Sequence, residues 1–318
     1  MQALVERGDT VIALDNLNAY YDPARKRANL AELLSTASDP SRLTFVEGDI
    51  RDRQLVGRLF ADNDFNAVVH LAAMAGVRAS IENPGLYFDV NLTGSRVLLD
   101  AAVGQIGQRR HRQPIFILAS TSSVYGNTSQ IPFVETDPCD RPLAPYAASK
   151  RAAELLGFTY HHLYALDVTV LRFFTVYGPR GRPDMMAYKV ADSIFLGRSV
   201  PLFNGGQMYR DWTFVGDIVS GVVAATERPL GYEVFNLGRG EPVLLADFVR
   251  SIEEITGRKA TLVPAPPPDT DIMSTHAYTA KAERLLGYRP AVSLRTGVQQ
   301  FLAWYDGAVR QQRTSGSG

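Results

Sequence analysis

Short unbroken apolar runs alternate along the first 175 residues with longer stretches in which apolar positions recur every three to four residues. Runs of Val, Ile, Leu and Phe without polar alternation predict strands buried on both faces of a parallel sheet. Thr10-Val11-Ile12-Ala13-Leu14, Leu43-Thr44-Phe45-Val46, Ala67-Val68-Val69-His70-Leu71, Ile115-Phe116-Ile117-Leu118 and Val168-Thr169-Val170-Leu171-Arg172-Phe173-Phe174 are such runs. Helical periodicity predicts helices over residues 1–7, 22–34, 54–60, 87–103 and 145–164, the first of them stopped at Gly8, a residue suited to a left-handed cap. Strand and helix in alternation predict an α/β fold built on a doubly wound parallel sheet. Beyond residue 175 the alternation lapses. A smaller mixed domain is expected over residues 176–312, with some segments returning to the sheet, helices at 281–288 and 298–310, and a flexible tail at 313–318 ending in Ser-Gly-Ser-Gly.

Chemistry gathers where the fourth run ends. Ser120-Thr121-Ser122-Ser123 puts several hydroxyls at the carboxyl end of a strand, where open α/β sheets place their ligands. Downstream, Pro145-Tyr146-Ala147-Ala148-Ser149-Lys150 opens a helix, and residues four apart share a helix face. The Tyr146 phenol and the Lys150 ammonium therefore face one cleft. A neighbouring cation favours phenolate and draws a group of ordinary pKa about 10 towards neutrality, as a general base requires. By itself such a pair also fits an ordinary surface face. His70, at the end of an apolar run, reads as a core histidine rather than a catalyst.

Composition narrows the class further. The 318 residues are 46% hydrophobic, enough to bury a sizeable core in one large or two modest domains. Lys plus Arg and Asp plus Glu both number 33, so no basic excess points to nucleic acid or an anionic membrane. Cys139 is the single cysteine, which leaves no internal disulfide and no cysteine-based metal site, and fits a reducing cytoplasm. No apolar run reaches the length of about 18 residues that spans a bilayer, and the first residues read neither as a signal peptide nor as an anchor.

The hydroxyl-rich strand end followed by a Tyr-x-x-x-Lys helix resembles the active-site unit of the short-chain dehydrogenase/reductase family, in its extended branch acting on nucleotide sugars. The resemblance runs through almost the whole chain. It implies a Rossmann-like NAD domain over residues 1–175, a substrate domain over 176–312, and Thr121, Tyr146 and Lys150 as catalytic residues. Asp15 and Asn16 match the position that grasps the adenosine ribose, where an acid favours NAD by repelling a 2'-phosphate. A turn cap is the other reading of Asp15. By the same resemblance Asp49 and Ile50 lie at the adenine, and Leu71, Ala72 and Ala73 line the cofactor. Asn91, Phe173, Tyr146 and Lys150 complete that set, an exposed polar residue being the other reading of Asn91. The resemblance breaks at one point. A dinucleotide-binding unit begins with strand, Gly-rich turn and helix, whereas these residues open inside that helix with no G-x-G-x-x-G. The sheet is therefore expected to lack its first strand. The chain as written is expected to be unstable or nearly inactive until a strand and Gly-rich turn are restored.

Substrate candidates follow from the same source. Arg78 sits at the mouth of the cleft, either meeting an anionic substrate group or serving as a surface arginine. Residues 180–185, Arg-Gly-Arg-Pro-Asp-Met, resemble the loop of UDP-glucuronate 4-epimerases, which makes Arg182 a candidate for setting the electrostatics around a uronate. A solvated basic loop is the alternative. Arg210 matches the diphosphate arginine, whose guanidinium fork binds phosphate oxygens in bidentate fashion; an ion pair with Asp211 is the other reading. Thr175 and Asn204 are further substrate candidates. Asp269 matches a uridine-ribose contact, although Pro268 stands where the motif has glycine.

Related dehydratases and decarboxylases carry an acid just after the catalytic hydroxyl or two positions on, where this chain has Ser122 and Ser123. The implied reaction is 4-epimerisation of a UDP-sugar through a 4-keto intermediate, UDP-glucuronate to UDP-galacturonate. Neutral hydroxyls can donate hydrogen bonds to the carboxylate. A UDP-glucose/galactose 4-epimerase, an open-cycle dehydrogenase and a cofactor-poor binding relative stay open. A homodimer is also implied, through apolar stripes at Val97-Leu98 with Ala101 and at Leu155-Leu156 with Tyr160.

Overall fold

The computed structural model describes residues 1–105, 113–128, 130–266, 270 and 272–315. The chain divides into two compact units, one of Met1–Asn127, Pro138–Arg172 and Gly221–Phe235, the other of Thr128–Asp137, Phe173–Ser220 and Asn236–Gly318.

The first unit opens with α1 (Gln2–Arg7), closed by Gly8 at φ 99° in the left-handed region, as its position predicts. Then come β1 (Val11–Asp15), α2 (Pro23–Thr36), β2 (Leu43–Glu47), α3 (Arg53–Asp62) and β3 (Ala67–His70). Asp22 and Asp52 start α2 and α3 by accepting hydrogen bonds from amides that have no partner inside the helix. After α4 (Ala79–Glu82) the single helix expected over residues 87–103 is broken into α5 (Pro84–Phe88), a π-helical segment at Asp89–Gly94, and α6 (Ser95–Ala102). Within that segment the Asn91 carbonyl accepts a 2.5 Å hydrogen bond from Ser95 Oγ. β4 (Ile115–Thr121), α7 (Pro145–Tyr164) and β5 (Val168–Phe173) follow.

Later elements are β6 (Thr175–Tyr177), α8 (Met186–Leu196), β7 (Ser199–Phe203), β8 (Tyr209–Phe214), α9 (Val215–Ala225), β9 (Tyr232–Leu237), β10 (Pro242–Leu244), α10 (Leu245–Thr256), β11 (Thr261–Ala265), α11 (Ala280–Leu286) and α12 (Leu294–Ser315). Since α12 continues to Ser315, residues 313–315 of the expected tail are helical; residues 316–318 lie outside the described residues.

The Rossmann-like α/β sheet of the first unit is in two pieces. β1 pairs in parallel with β2 alone, while β3 is the edge of a four-stranded order β3-β4-β5-β9. Packing divides the same way: Val5, Leu33 and Leu43 form one cluster, and Val56, Phe60, Leu99, Phe116, Leu118, Val168 and Val170 belong to another. β4, flanked on both sides, is buried along its whole length, whereas β1 and β3 are mostly half-buried. A strand with one partner leaves a row of amides and carbonyls unpaired along its other edge.

Helix α6 turns its apolar stripe inward. Val97, Leu98 and Ala101 are buried in the core of their own unit, and Tyr160 is buried with its hydroxyl on the Asp100 carboxylate. Of the two stripes expected to pair with a second copy, the one on α6 is covered by its own unit, which corrects that part of the expectation, as does the burial of Tyr160. On α7 the exposed apolar side chains are Leu155, Phe158 and Leu163, because they point away from the sheet against which α7 packs.

The second unit is mixed, as expected. β8 lies between parallel β6 and antiparallel β10, and β7 pairs in parallel with β11. Its core is aromatic: Trp212 stacks on Phe248 at 3.7 Å between centroids, and Tyr188 meets Phe301 edge-on. Among the described residues no helix is long and apolar enough to cross a membrane.

Candidate active site

In the first unit, residues at the carboxyl ends of β1 to β4 are those the sequence nominated. β4 ends in Thr121, whose Oγ1 accepts from the Ser123 amide at 3.2 Å and so starts a short 3-10 turn over Ser122–Tyr125. Thr121 and Ser122 are buried and Ser123 is half-buried. α7 begins with Pro145 at a position where a missing amide costs nothing, which sets Tyr146 in the first turn and Lys150 one turn later. Tyr146 is half-buried with its ring edge-on to Tyr87, at 6.2 Å between centroids. Lys150 is only 3% exposed, and burial pulls its ammonium down to about pKa 8, against the opposing pull of the Glu154 charge.

Asn91 is fully buried rather than exposed. Its amide nitrogen donates to Met74 O and Ser149 Oγ, and its Oδ1 accepts from the Met74 amide, all at 2.8–2.9 Å. Ser149 Oγ in turn donates to the Tyr146 carbonyl at 2.8 Å. The π-helical segment thus reaches the first turn of α7 through two polar side chains. His70 is a core histidine as read: Nε2 meets Ser95 Oγ at 2.8 Å. Since the Ser95 proton is committed to Asn91 O, His70 Nε2 is the donor. Burial and the Lys150 charge push His70 down to about pKa 3, so it stays neutral at physiological pH.

The other cofactor candidates lie at neighbouring strand ends. Asp15 is exposed, and its Oδ1 accepts from the Leu17 amide at 2.7 Å, which makes it a turn cap whatever else it holds. Asn16 Nδ2 donates to Asp49 Oδ2 at 2.9 Å. Asp49 also holds Arg51 by two side-chain bonds, and that guanidinium lowers its carboxyl to about pKa 2. Ile50 is buried against Gly94, Leu71 is 55% exposed, and Ala72, Ala73 and Phe173 are half-buried. Within the first unit, side chains at the carboxyl ends of the β1–β2 and β3–β4 pairs, an apolar leucine open to a ligand and a buried cation are the chemistry that the adenosine and nicotinamide-ribose ends of NAD call for. Among the described residues no strand is followed by a G-x-G-x-x-G turn and a helix.

Arg78 is exposed at the start of α4. In the second unit Thr175 is half-buried on β6. Arg182 closes its fork on Asp184, Nε to Oδ1 at 2.9 Å and Nη2 to Oδ2 at 2.8 Å. Asn204 stands at φ 48° in a tight turn, its amide bonded to Gln207 O. Arg210 Nη1 bonds Tyr209 O at 2.8 Å, and four donors from other residues occupy the Asp211 carboxylate. Asp269 lies outside the described residues.

Two buried ionisable residues that bear on Thr121, Tyr146 and Lys150 escaped the sequence reading. Glu154 continues the Tyr146, Lys150 spacing by one more turn, and Arg172 is a cation inside an apolar strand. The structure pairs them, Nε to Oε1 at 3.0 Å and Nη2 to Oε2 at 2.8 Å. A charge in a buried run demands a counter-charge, and that was the available signal.

The sequence model of the NAD dependent epimerase/dehydratase family matches residues 1–238. UDP-glucuronate 4-epimerase 4 of Arabidopsis thaliana is 43% identical over 95% of this chain and 71% of its own. The structure of UDP-glucuronic acid 4-epimerase from Bacillus cereus, in complex with UDP-glucuronic acid and NAD, superposes with a TM-score of 0.86 at 31% identity, covering 96% of this chain and 94% of that one. UDP-glucose 4-epimerase from Thermotoga maritima, with UDP-glucose, superposes at 0.84 with 29% identity over the same shares. The chain belongs to the NAD-dependent epimerase/dehydratase family, and NAD is its cofactor.

Proposed function

We propose that this chain catalyses the NAD-dependent 4-epimerisation of a UDP-sugar, with UDP-glucuronate as substrate and UDP-galacturonate as product. The observation that carries the reading is the set Thr121, Ser122, Ser123, Tyr146 and Lys150: hydroxyls, a phenol and a buried cation, with no acid at either position after Thr121. Glu154, the carboxylate that reaches the preceding Ser120, is tied to Arg172 and Arg151 and is not free to donate a proton for elimination. Similarity to the Arabidopsis and Bacillus enzymes supports the uronate as substrate.

In this reading Tyr146, as phenolate, removes the proton of the sugar 4-hydroxyl while Thr121 Oγ1 hydrogen-bonds the same oxygen. NAD, when bound, accepts the hydride from carbon 4 and gives it back. Lys150 holds the phenolate and the nicotinamide ribose, and Asp15, Asn16 and Asp49 hold the adenosine end. The 4-keto sugar turns over in the site, and Tyr146 returns its proton after the opposite face has been reduced. Ser122 and Ser123 donate to the uronate carboxylate without repelling it. Thr175, Arg182, Asn204 and Arg210 are proposed as substrate contacts on the second unit, Arg210 at the diphosphate.

Protein denatured after purification should release NAD, and UDP-glucuronate should convert to UDP-galacturonate with no net change in nicotinamide absorbance. We expect kcat/KM for UDP-glucuronate to exceed that for UDP-glucose by about 10- to 100-fold, the range one well-placed charged contact supplies. Arg182→Ala should narrow that gap; equal efficiency with both sugars in the parent would remove the uronate claim. A homodimer is proposed through the exposed face of α7. Light scattering at micromolar concentration should give twice the chain mass, and Leu155→Glu combined with Leu163→Glu should give the monomer. A monomer mass for the parent would count against it.

A further inference from the structure

We infer that Glu154 is a positioning residue for the reaction: with Ser120 and Arg172 it fixes the strand that carries Thr121 to the helix that carries Tyr146 and Lys150. The inference rests on the epimerase reading of those three residues and assigns a role to a fourth. Glu154 is 0% exposed and Arg172 1%. All four acceptor directions of the carboxylate are used. Oε1 accepts from Ser120 Oγ at 2.5 Å and Arg172 Nε at 3.0 Å; Oε2 accepts from Arg172 Nη2 at 2.8 Å and Arg151 Nη1 at 2.9 Å.

Each partner belongs to an element that bears a reacting group or touches one. Ser120 directly precedes Thr121 on β4, so the bond to Glu154 sets how far the Thr121 hydroxyl stands from α7. Arg172 lies on β5 beside β4, and its guanidinium sits 4.8 Å from the ring centre of Tyr125, which ends the turn through Ser122 and Ser123. Arg151 continues to Pro138 O at 2.9 Å. Glu154 also follows Lys150 by one helical turn, so its charge acts on the Lys150 ammonium.

That last point separates positioning from plain stability. The charge that acts on Lys150 is Glu154, one turn on along α7; Tyr146 shares its helix face, and His70 at the end of β3 lies within reach of its charge. His70 stays neutral above about pH 3, and Arg172 stays charged throughout. The Lys150 ammonium is lost as pH rises through about 8, and Glu154 is the group that holds that value up against burial. The sign is therefore fixed: removing the Glu154 charge moves the loss of the ammonium to lower pH.

The test uses the NAD-loaded protein and two variants. Glu154→Gln leaves Arg172 buried without its counter-charge, so the double variant Glu154→Gln with Arg172→Met is made beside it to keep a folded protein. In both, kcat should fall by about 10- to 100-fold with KM within about threefold, the loss expected of a misplaced reacting group. The alkaline limb of kcat/KM should move to lower pH. The chain has five lysines, so a carbon-13 Lys label read by NMR, assigned with Lys150→Arg, follows Lys150 without turnover. Its midpoint should lie near pH 8 in the parent and lower in the double variant. A parent-like kcat with an unmoved Lys150 midpoint in a folded double variant would overturn the inference. A parent that titrates as described but converts no UDP-sugar would instead overturn the reading of the function.

Discussion

Tyr146→Phe should lower turnover of UDP-glucuronate by about 10²–10⁴-fold, the usual worth of a general base, while UDP-sugar affinity stays within about threefold. The substitution deletes one oxygen. The ring that packs edge-on to Tyr87 is retained, and the main-chain carbonyl held by Ser149 belongs to the backbone, so the first turn of α7 keeps its place. Binding measured calorimetrically and conversion measured by anion-exchange chromatography separate the two effects. Melting should change little, since the ring contact and the backbone bond are both kept. Epimerisation at more than about a tenth of the parent rate would sink the assignment of Tyr146 as the base.

The second large effect concerns stability. Asp211 is fully buried in the second unit, and its Oδ1 accepts from Thr213 Oγ1 and the Arg239 amide while Oδ2 accepts from the amides of Gly240 and Ala277, at 2.7–3.1 Å. One carboxylate thus ties β8 to the turn after β9 and to the segment before α11. Asp211→Ala strands the buried Ala277 amide and Thr213 hydroxyl, each worth about 1–3 kcal/mol, together with the half-buried Arg239 and Gly240 amides, so a loss of at least about 2 kcal/mol is expected. Asp211→Asn should cost nearly as much, because its NH₂ would confront amide donors where the parent has an acceptor. Both tryptophans, Trp212 and Trp304, lie in the second unit, so their fluorescence in urea reports its unfolding directly. A variant unfolding within about 0.5 kcal/mol of the parent would show that the carboxylate is not the tie described.

Arg210 illustrates how neighbours in sequence part in space. Beside Asp211 an ion pair was the other reading of it, yet successive strand residues point to opposite faces, and β8 sends the aspartate into the interior and the arginine to the half-buried side. Arg182 shows the reverse. Read as a uronate contact, it lies two residues from Asp184 and closes on it. A fork already satisfied by its own loop reaches a substrate carboxylate only by exchanging that partner, so the Arg182→Ala comparison tests more than proximity.

What the sequence determined by itself is whatever repeats or caps locally. Buried strands announced themselves as short apolar runs, α1 stopped at Gly8, and Tyr146 with Lys150 shared a face because four residues make about one helical turn. Contacts between distant residues decided the rest. Glu154 meets Arg172 across 18 positions and Ser120 across 34, and Asp211 gathers amides up to 66 positions away. The break at Asp89–Gly94 arises where Asn91 is drawn to Met74 and Ser149, and no local propensity marks it. The inward turn of the Val97–Leu98 stripe is of the same kind: periodicity finds an apolar face, and only packing decides whether the sheet or a second copy covers it. Buried charges and polar side chains must find partners wherever the fold brings them, so their pairing is a property of the tertiary structure and not of the segment that carries them.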